Sequence, residues 1–130
     1  MKVHHIGIYV QDMEKISKFY TKYFKGTLSQ PAYHNPKKNF TSHFITFESG
    51  AKLEIMHQPS IPVIKKEPKE QYIGFIHISF SVGSKENVDK LAKQLKEDGY
   101  DIIDGPRTTG DGFYEACVLD PENNRVEFTI

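Results

Sequence analysis

Apolar and polar residues alternate along Phe75-Ile76-His77-Ile78-Ser79-Phe80-Ser81-Val82. A period of two predicts a strand, with Ile76, Ile78, Phe80 and Val82 on one face and His77, Ser79 and Ser81 on the other. The same alternation runs over residues 2–10, where Ile6, Ile8 and Val10 oppose His5, Gly7 and Tyr9. After that strand the period lengthens. Ile16, Phe19, Tyr20, Tyr23 and Phe24 recur at helical spacing behind Asp12, an N-cap whose carboxylate can accept from a free backbone N–H. Gly26 is the expected helix stop. Residues 27–33 predict a short edge strand, demoted by Pro31, and residues 34–39 a turn-rich loop. Residues 41–48 and 52–57 predict two strands joined by Ser49-Gly50.

The pattern then repeats. Ser84 is a second N-cap, followed by a helical stripe of Val88, Leu91, Ala92 and Leu95 and a stop at Gly99. A short strand is expected at 100–104, a glycine-rich loop at 105–112, and strands at 113–119 and 125–130 around the turn at 120–124. An offset of 72 places Ile16 on Val88, Phe19 on Leu91, Tyr20 on Ala92 and Tyr23 on Leu95. With one insertion the offset becomes 73, and Gly26 falls on Gly99, Leu53 on Val126, Glu54 on Glu127 and Ile55 on Phe128. An α+β fold of two tandem βαβββ modules follows, each sheet covering its apolar face with its own helix. The single domain 1–130 divides into a module at about 1–58, a linker at 59–73 and a module at about 74–130. The linker holds Pro59, Pro62 and Pro68 and the charged run Lys65-Lys66-Glu67, while Ile61, Val63 and Ile64 offer it a packing surface.

Composition narrows the function. Charged residues make up 26% and apolar ones 38%, as in a folded soluble domain. Lys+Arg and Asp+Glu are 17 each, which gives no electrostatic steering toward nucleic acid or anionic membrane. No apolar run approaches the ~20 residues of a bilayer span, and no export signal precedes the first strand. Cys117 is the one cysteine, which excludes an internal disulfide and fits a reducing cytoplasm.

Strand alternation selects the candidate chemistry. Leu53 and Ile55 are core, so Glu54 faces away from the helix; Val126 and Phe128 are core, so Glu127 does the same. His5 and His77 share that orientation in the first strands. Each half therefore carries a histidine early and a glutamate late, 49 residues apart in His5–Glu54 and 50 in His77–Glu127. Charged groups in mid-strand on a concave face need partners, and two imidazoles with two carboxylates satisfy one another through one divalent cation. That mixed N/O set suits Zn, Ni, Co, Mn or Fe without choosing among them. His4, His34, His43 and His57 are assigned to solvent or local hydrogen bonds. Cys117 reads as a small buried residue, with register beside Glu127 as the alternative.

At these residues the chain resembles the vicinal oxygen chelate superfamily, and within it the glyoxalase I group. The resemblance rests on His5-Ile6-Gly7-Ile8-Tyr9-Val10-Gln11-Asp12, Phe19-Tyr20, Lys52-Leu53-Glu54-Ile55-Met56, His77-Ile78-Ser79-Phe80-Ser81-Val82 and Asp120-Pro121-Glu122-Asn123-Asn124-Arg125-Val126-Glu127. It implies the glyoxalase/bleomycin-resistance/dioxygenase-like fold and a metal held by His5, Glu54, His77 and Glu127. It also implies lyase or isomerase chemistry of the lactoylglutathione lyase type, by proton transfer through a metal-bound enediolate. Glu127 is then the base, with Glu54 as the alternative. Related readings are a metal-dependent epimerase, an antibiotic-modifying thiol transferase, and a non-enzymatic binder of the bleomycin-resistance type. The group usually carries an arginine where this chain has Tyr9, and a phenol cannot replace a guanidinium at a carboxylate. Another thiol, or a substrate without one, is therefore expected in place of glutathione. Tyr9, Phe44, Arg107 and Tyr114 are the expected substrate contacts, Arg107 as an anion contact, with Phe113 as a further aromatic candidate for a binder's cleft. Relatives of this kind form homodimers with the site at a module interface, and the same is expected here.

Overall fold

The structure is a computed structural model that describes residues 1–65, 67 and 70–130. Two compact units divide the chain, Met1–Lys65 and Lys66–Ile130.

In the first unit, β1 (Ile6–Tyr9) leads into α1 (Met13–Phe24), then β2 (Thr27–Leu28), β3 (Tyr33–Asn35), β4 (Phe40–Thr46) and β5 (Lys52–His57). The strands lie in the order β1-β5-β4-β2, with β3 also paired to β4. β1 runs parallel to β5 and the other pairings are antiparallel. The Asp12 carboxylate caps α1, accepting from the Lys15 N–H at 2.9 Å. The helical stripe is buried as its spacing requires, and Phe19 packs its ring against Tyr20, Tyr23 and Phe24 at centroid distances of 5.3, 5.3 and 5.7 Å. Opposite lie Ile45, Leu53 and Ile55, also buried.

The second unit repeats this plan with β6 (His77–Ser81), α2 (Lys85–Glu97), β7 (Ile102–Thr108), β8 (Tyr114–Leu119) and β9 (Arg125–Thr129). Its order is β6-β9-β8-β7, again with the first strand parallel to the last. Ser84 caps α2 through the Asn87 N–H at 3.2 Å. Val88, Ala92 and Leu95 bury the helix face against Ala116, Val118, Val126 and Phe128.

Several boundaries differ from expectation. Lys25, not Gly26, takes the left-handed conformation that ends α1 (φ 54°). Gly26 is instead held by close packing, since a Cβ there would come within 2.3 Å of Ile45 Cγ2. The expected strand at 27–33 is two shorter pieces, because β3 pairs with β4 only from Tyr33 and continues through Asn35, into the expected loop. The glycine-rich segment from 105 is strand as far as Thr108; β7 accommodates Gly105 and Pro106 through register shifts against β8. β1 and β6 start later than predicted, and as edge strands they leave Ile6 exposed and Ile78 and Phe80 only half-covered. In the predicted linker, Ile61, Val63 and Ile64 do not pack but are exposed. Lys66 and Pro68 lie outside the described residues. Among the described residues no helix is long and apolar enough to cross a membrane.

Leu95 is fully buried and Leu91 only partly. Leu95→Ala should cost about 2–5 kcal/mol in a denaturant titration, and Leu91→Ala distinctly less. Equal costs would contradict this packing of α2.

Candidate functional site

The parallel pairing of first and last strands builds the same local arrangement in each unit. In the first, Gly7 lies opposite Glu54 and His5 stands two residues earlier on the same face. In the second, Ser79 lies opposite Glu127 with His77 two residues earlier. His5 Nε2 is 3.4 Å from Glu54 Oε2, and His77 Nε2 is 3.9 Å from Glu127 Oε2. The environments match: side-chain exposure is 38% and 18% in the first pair, 42% and 20% in the second. Half-covered imidazoles beside mostly covered carboxylates remain reachable by a ligand from solvent. Both pairings continue past the site in equivalent bonds, Val10 N–H to Met56 C=O and Val82 N–H to Thr129 C=O, each at 2.8 Å.

The structure thus brings the four predicted ligands together as two pairs, one per unit. Among the described residues, no group of three or more His, Cys, Asp or Glu side chains converges in metal-binding geometry. The donors nevertheless suit a divalent cation. Ligands bound to one ion at about 2.0–2.2 Å stand roughly 3.0–3.5 Å apart. The His5–Glu54 spacing falls in that range, and His77–Glu127 needs only a small closure.

Around these pairs the units diverge. Phe44 lies opposite Glu54, and its ring meets the His5 ring edge-on at 5.3 Å. Cys117 lies opposite Glu127 in the corresponding place, which settles its register on this face; burial pushes its thiol up to about 11. Glu115, two residues before Cys117, is raised by burial and then by the charge of Glu127. Arg107 faces Glu115 across β7 and β8, its Nη2 4.0 Å from Glu115 Oε1. Its guanidinium is occupied by Asp104, with Nε donating to Oδ1 at 2.9 Å. Arg107, the expected anion contact, lies on the Glu127 face beside the carboxylates of Asp104 and Glu115.

Tyr9 is exposed on the His5 face. Tyr114 is on the other side: its hydroxyl donates to Asp89 Oδ1 of α2 at 2.8 Å, which raises its phenol and turns it from the Glu127 face. Phe113 is exposed just before β8.

His4, assigned to solvent or a local bond, makes a local one, its Nδ1 2.8 Å from Nδ1 of His5. One contact escaped sequence reasoning. Ser79 donates its hydroxyl to Glu127 Oε1 at 2.7 Å. Its signal was its distance of two residues from His77 in a strand pairing with the one that carries Glu127. His34 bonds Thr41 Oγ1 at 3.0 Å, whereas His43 and His57 bond segments distant in sequence, Ser29 C=O and Val10 C=O, at 3.0 and 2.9 Å.

Each unit thus carries a His/Glu couple on the sheet face away from its helix. The sequence profile of the Glyoxalase/Bleomycin resistance protein/Dioxygenase superfamily matches residues 2–128, and the chain belongs to that superfamily. An uncharacterized protein of Bacillus subtilis (strain 168), YqjT, is 27% identical over 128 residues, covering 96% of this chain and 95% of that one. A glyoxalase family protein from Enterococcus faecalis is similar in structure, with a TM-score of 0.76 at 22% identity, over 99% of this chain and 97% of that one. So is a mutant of the fosfomycin resistance protein FosX from Listeria monocytogenes, complexed with Mn(II) and a dihydroxypropylphosphonic acid. Its TM-score is 0.73 at 20% identity, over 98% of this chain and 90% of that one.

The Arg107 hydrogen bond holds the Asp104 carboxyl below its ordinary 3.8. The stability this confers is present above that ordinary value and is lost as pH falls through the lowered one. In Arg107→Ala, carboxyl-carbon NMR should show Asp104 titrating higher, near its ordinary value. A titration unchanged from wild type would contradict the pairing.

Proposed function

We propose that the chain is a metal-dependent glyoxalase-like enzyme that moves a proton between neighbouring carbons of a small oxygenated substrate. The observation that carries this reading is the recurrence of one His/Glu pair at equivalent register in both units. His5, Glu54, His77 and Glu127 would hold one divalent cation. Two carboxylates offset its charge, and the absence of cysteine among the four is unlike a closed structural zinc site. Zn, Ni, Co, Mn and Fe all accept such donors, and the structurally similar FosX protein was complexed with Mn(II). When bound, the cation supplies Lewis-acid stabilisation of charge on two adjacent substrate oxygens.

The chain's own groups do the rest. Glu127 takes the proton from one carbon and returns it to the neighbour; Glu54 is its counterpart in the other half and the alternative carrier. Tyr9 and Phe44 offer aromatic surface beside the His5–Glu54 pair, which favours a substrate with an apolar portion. With Tyr9 at the position where an arginine would grip a glutathione carboxylate, the co-substrate is another thiol or none. Each unit supplies half of the donors, and in a homodimer the first unit of one chain would complete the set with the second unit of the other.

Elemental analysis should find a first-row divalent cation in the purified protein. His77→Ala and His5→Ala should each lose it in native mass spectrometry, and full occupancy in either would refute the ligand assignment. With methylglyoxal and a panel of thiols, Glu127→Gln should keep part of the metal and lose about 10²–10⁴-fold in turnover. Unchanged turnover would move the proton to another group. In sedimentation the loaded protein should be a dimer; a metal-loaded monomer would overturn the assembly.

A further inference from the structure

The two halves of the duplication treat their glutamates differently, and the difference lies at one position. Gly7 and Ser79 are equivalent: each is two residues past the histidine and directly opposite the glutamate of the parallel strand. At Gly7 there is no side chain, and a Cβ built there would come within 2.9 Å of Met56 Cε and 3.9 Å of Glu54 Oε2. At Ser79 there is a hydroxyl, and it donates to Glu127 Oε1 at 2.7 Å. The other oxygen, Oε2, is the one nearest His77 Nε2.

We propose that Ser79 is the positioning residue for Glu127, holding Oε1 so that Oε2 alone is presented beside His77. This rests on the reading of His77 and Glu127 as cation ligands. A free glutamate side chain samples several rotamers and can offer either oxygen or both. A hydrogen bond from a hydroxyl to an ionised carboxylate is short and strong for its class, and it removes that freedom before a ligand arrives. Groups that orient metal-binding side chains typically change metal affinity by 10–100-fold when removed. Glu54 has no such donor across from it and shares its surroundings with the Met56 thioether and the Phe44 ring. The duplicated carboxylates are thus unequal, Glu127 fixed by a hydroxyl and Glu54 not.

Two measurements test this separately. Crystal structures of metal-free wild type, Ser79→Ala and Ser79→Thr report the orientation of Glu127 directly. The carboxylate should leave its wild-type position, or occupy more than one, in Ser79→Ala and keep it in Ser79→Thr. An unmoved Glu127 in the alanine variant would overturn the proposal. Calorimetric titration of the stripped proteins with Mn²⁺, Zn²⁺ and Ni²⁺ then reads the consequence. Ser79→Ala should bind 10–100-fold more weakly at an unchanged melting temperature, with Ser79→Thr close to wild type, and equal affinity in all three would also overturn it. A wild-type protein that binds none of these ions would refute the ligand reading instead, and the crystal structures would still decide whether Ser79 holds Glu127.

Discussion

A parallel strand pair is the constraint on which each half depends. β1 against β5, and β6 against β9, join the two ends of a unit across its sheet. Because side chains alternate, one register fixes both what is buried and what is presented. Leu53 and Ile55 can reach α1, and Val126 and Phe128 can reach α2, only if Glu54 and Glu127 face away. The apolar core and the candidate chemistry are therefore two sides of one decision. The helices enforce it, since displacing the buried leucine, isoleucine, valine or phenylalanine side chains would cost far more than the polar face could return.

The sequence repeat carries two copies of that arrangement, and the residues around it differ between the units. The histidines, the glutamates and the strand pairing agree between the units, as do the exposures of the side chains. The neighbours do not. Phe44 meets His5 edge-on where Cys117 stands beside Glu127, and Gly7 leaves open the position from which Ser79 reaches Glu127. The second unit adds the Asp104–Arg107–Glu115 chain of charges on the same face; at the place equivalent to Glu115 the first unit has Ser42, buried opposite Met56. A shared scaffold with unlike surroundings gives equivalent carboxylates different neighbours.

Much of the fold was legible because its signals are periodic. The two helix stripes, both N-caps at Asp12 and Ser84, and the facing of Glu54 and Glu127 all follow from spacing alone. The boundaries were less legible where tertiary pairing overrides local composition. Gly105 and Pro106 read as a loop, yet β8 holds them in β7 through a shifted register. Ile6 reads as core by alternation, but an edge position in the sheet leaves it exposed. At the site, the His/Glu pairs could be read from the repeat, whereas Tyr114 could not be placed without knowing that Asp89 stood within reach of its hydroxyl. Ser79 was visible as a polar-face residue, but its bond to Glu127 depends on a pairing between segments 48 residues apart.

The turn between β8 and β9 has a bearing on all of this. Asp120 is buried there, and its Oδ1 accepts from the backbone N–H groups of Glu122 and Asn124, both at 2.9 Å, while the Asn124 amide donates to Oδ2 at the same distance. Such a knot sets the length of the hairpin. An insertion or deletion of one residue in it would exchange the two faces of β9, sending Arg125, Glu127 and Thr129 toward α2 and Val126 and Phe128 into water. The turn thus acts as a counting device: it sits outside the candidate site, yet it fixes which side of the sheet every residue of the final strand will occupy.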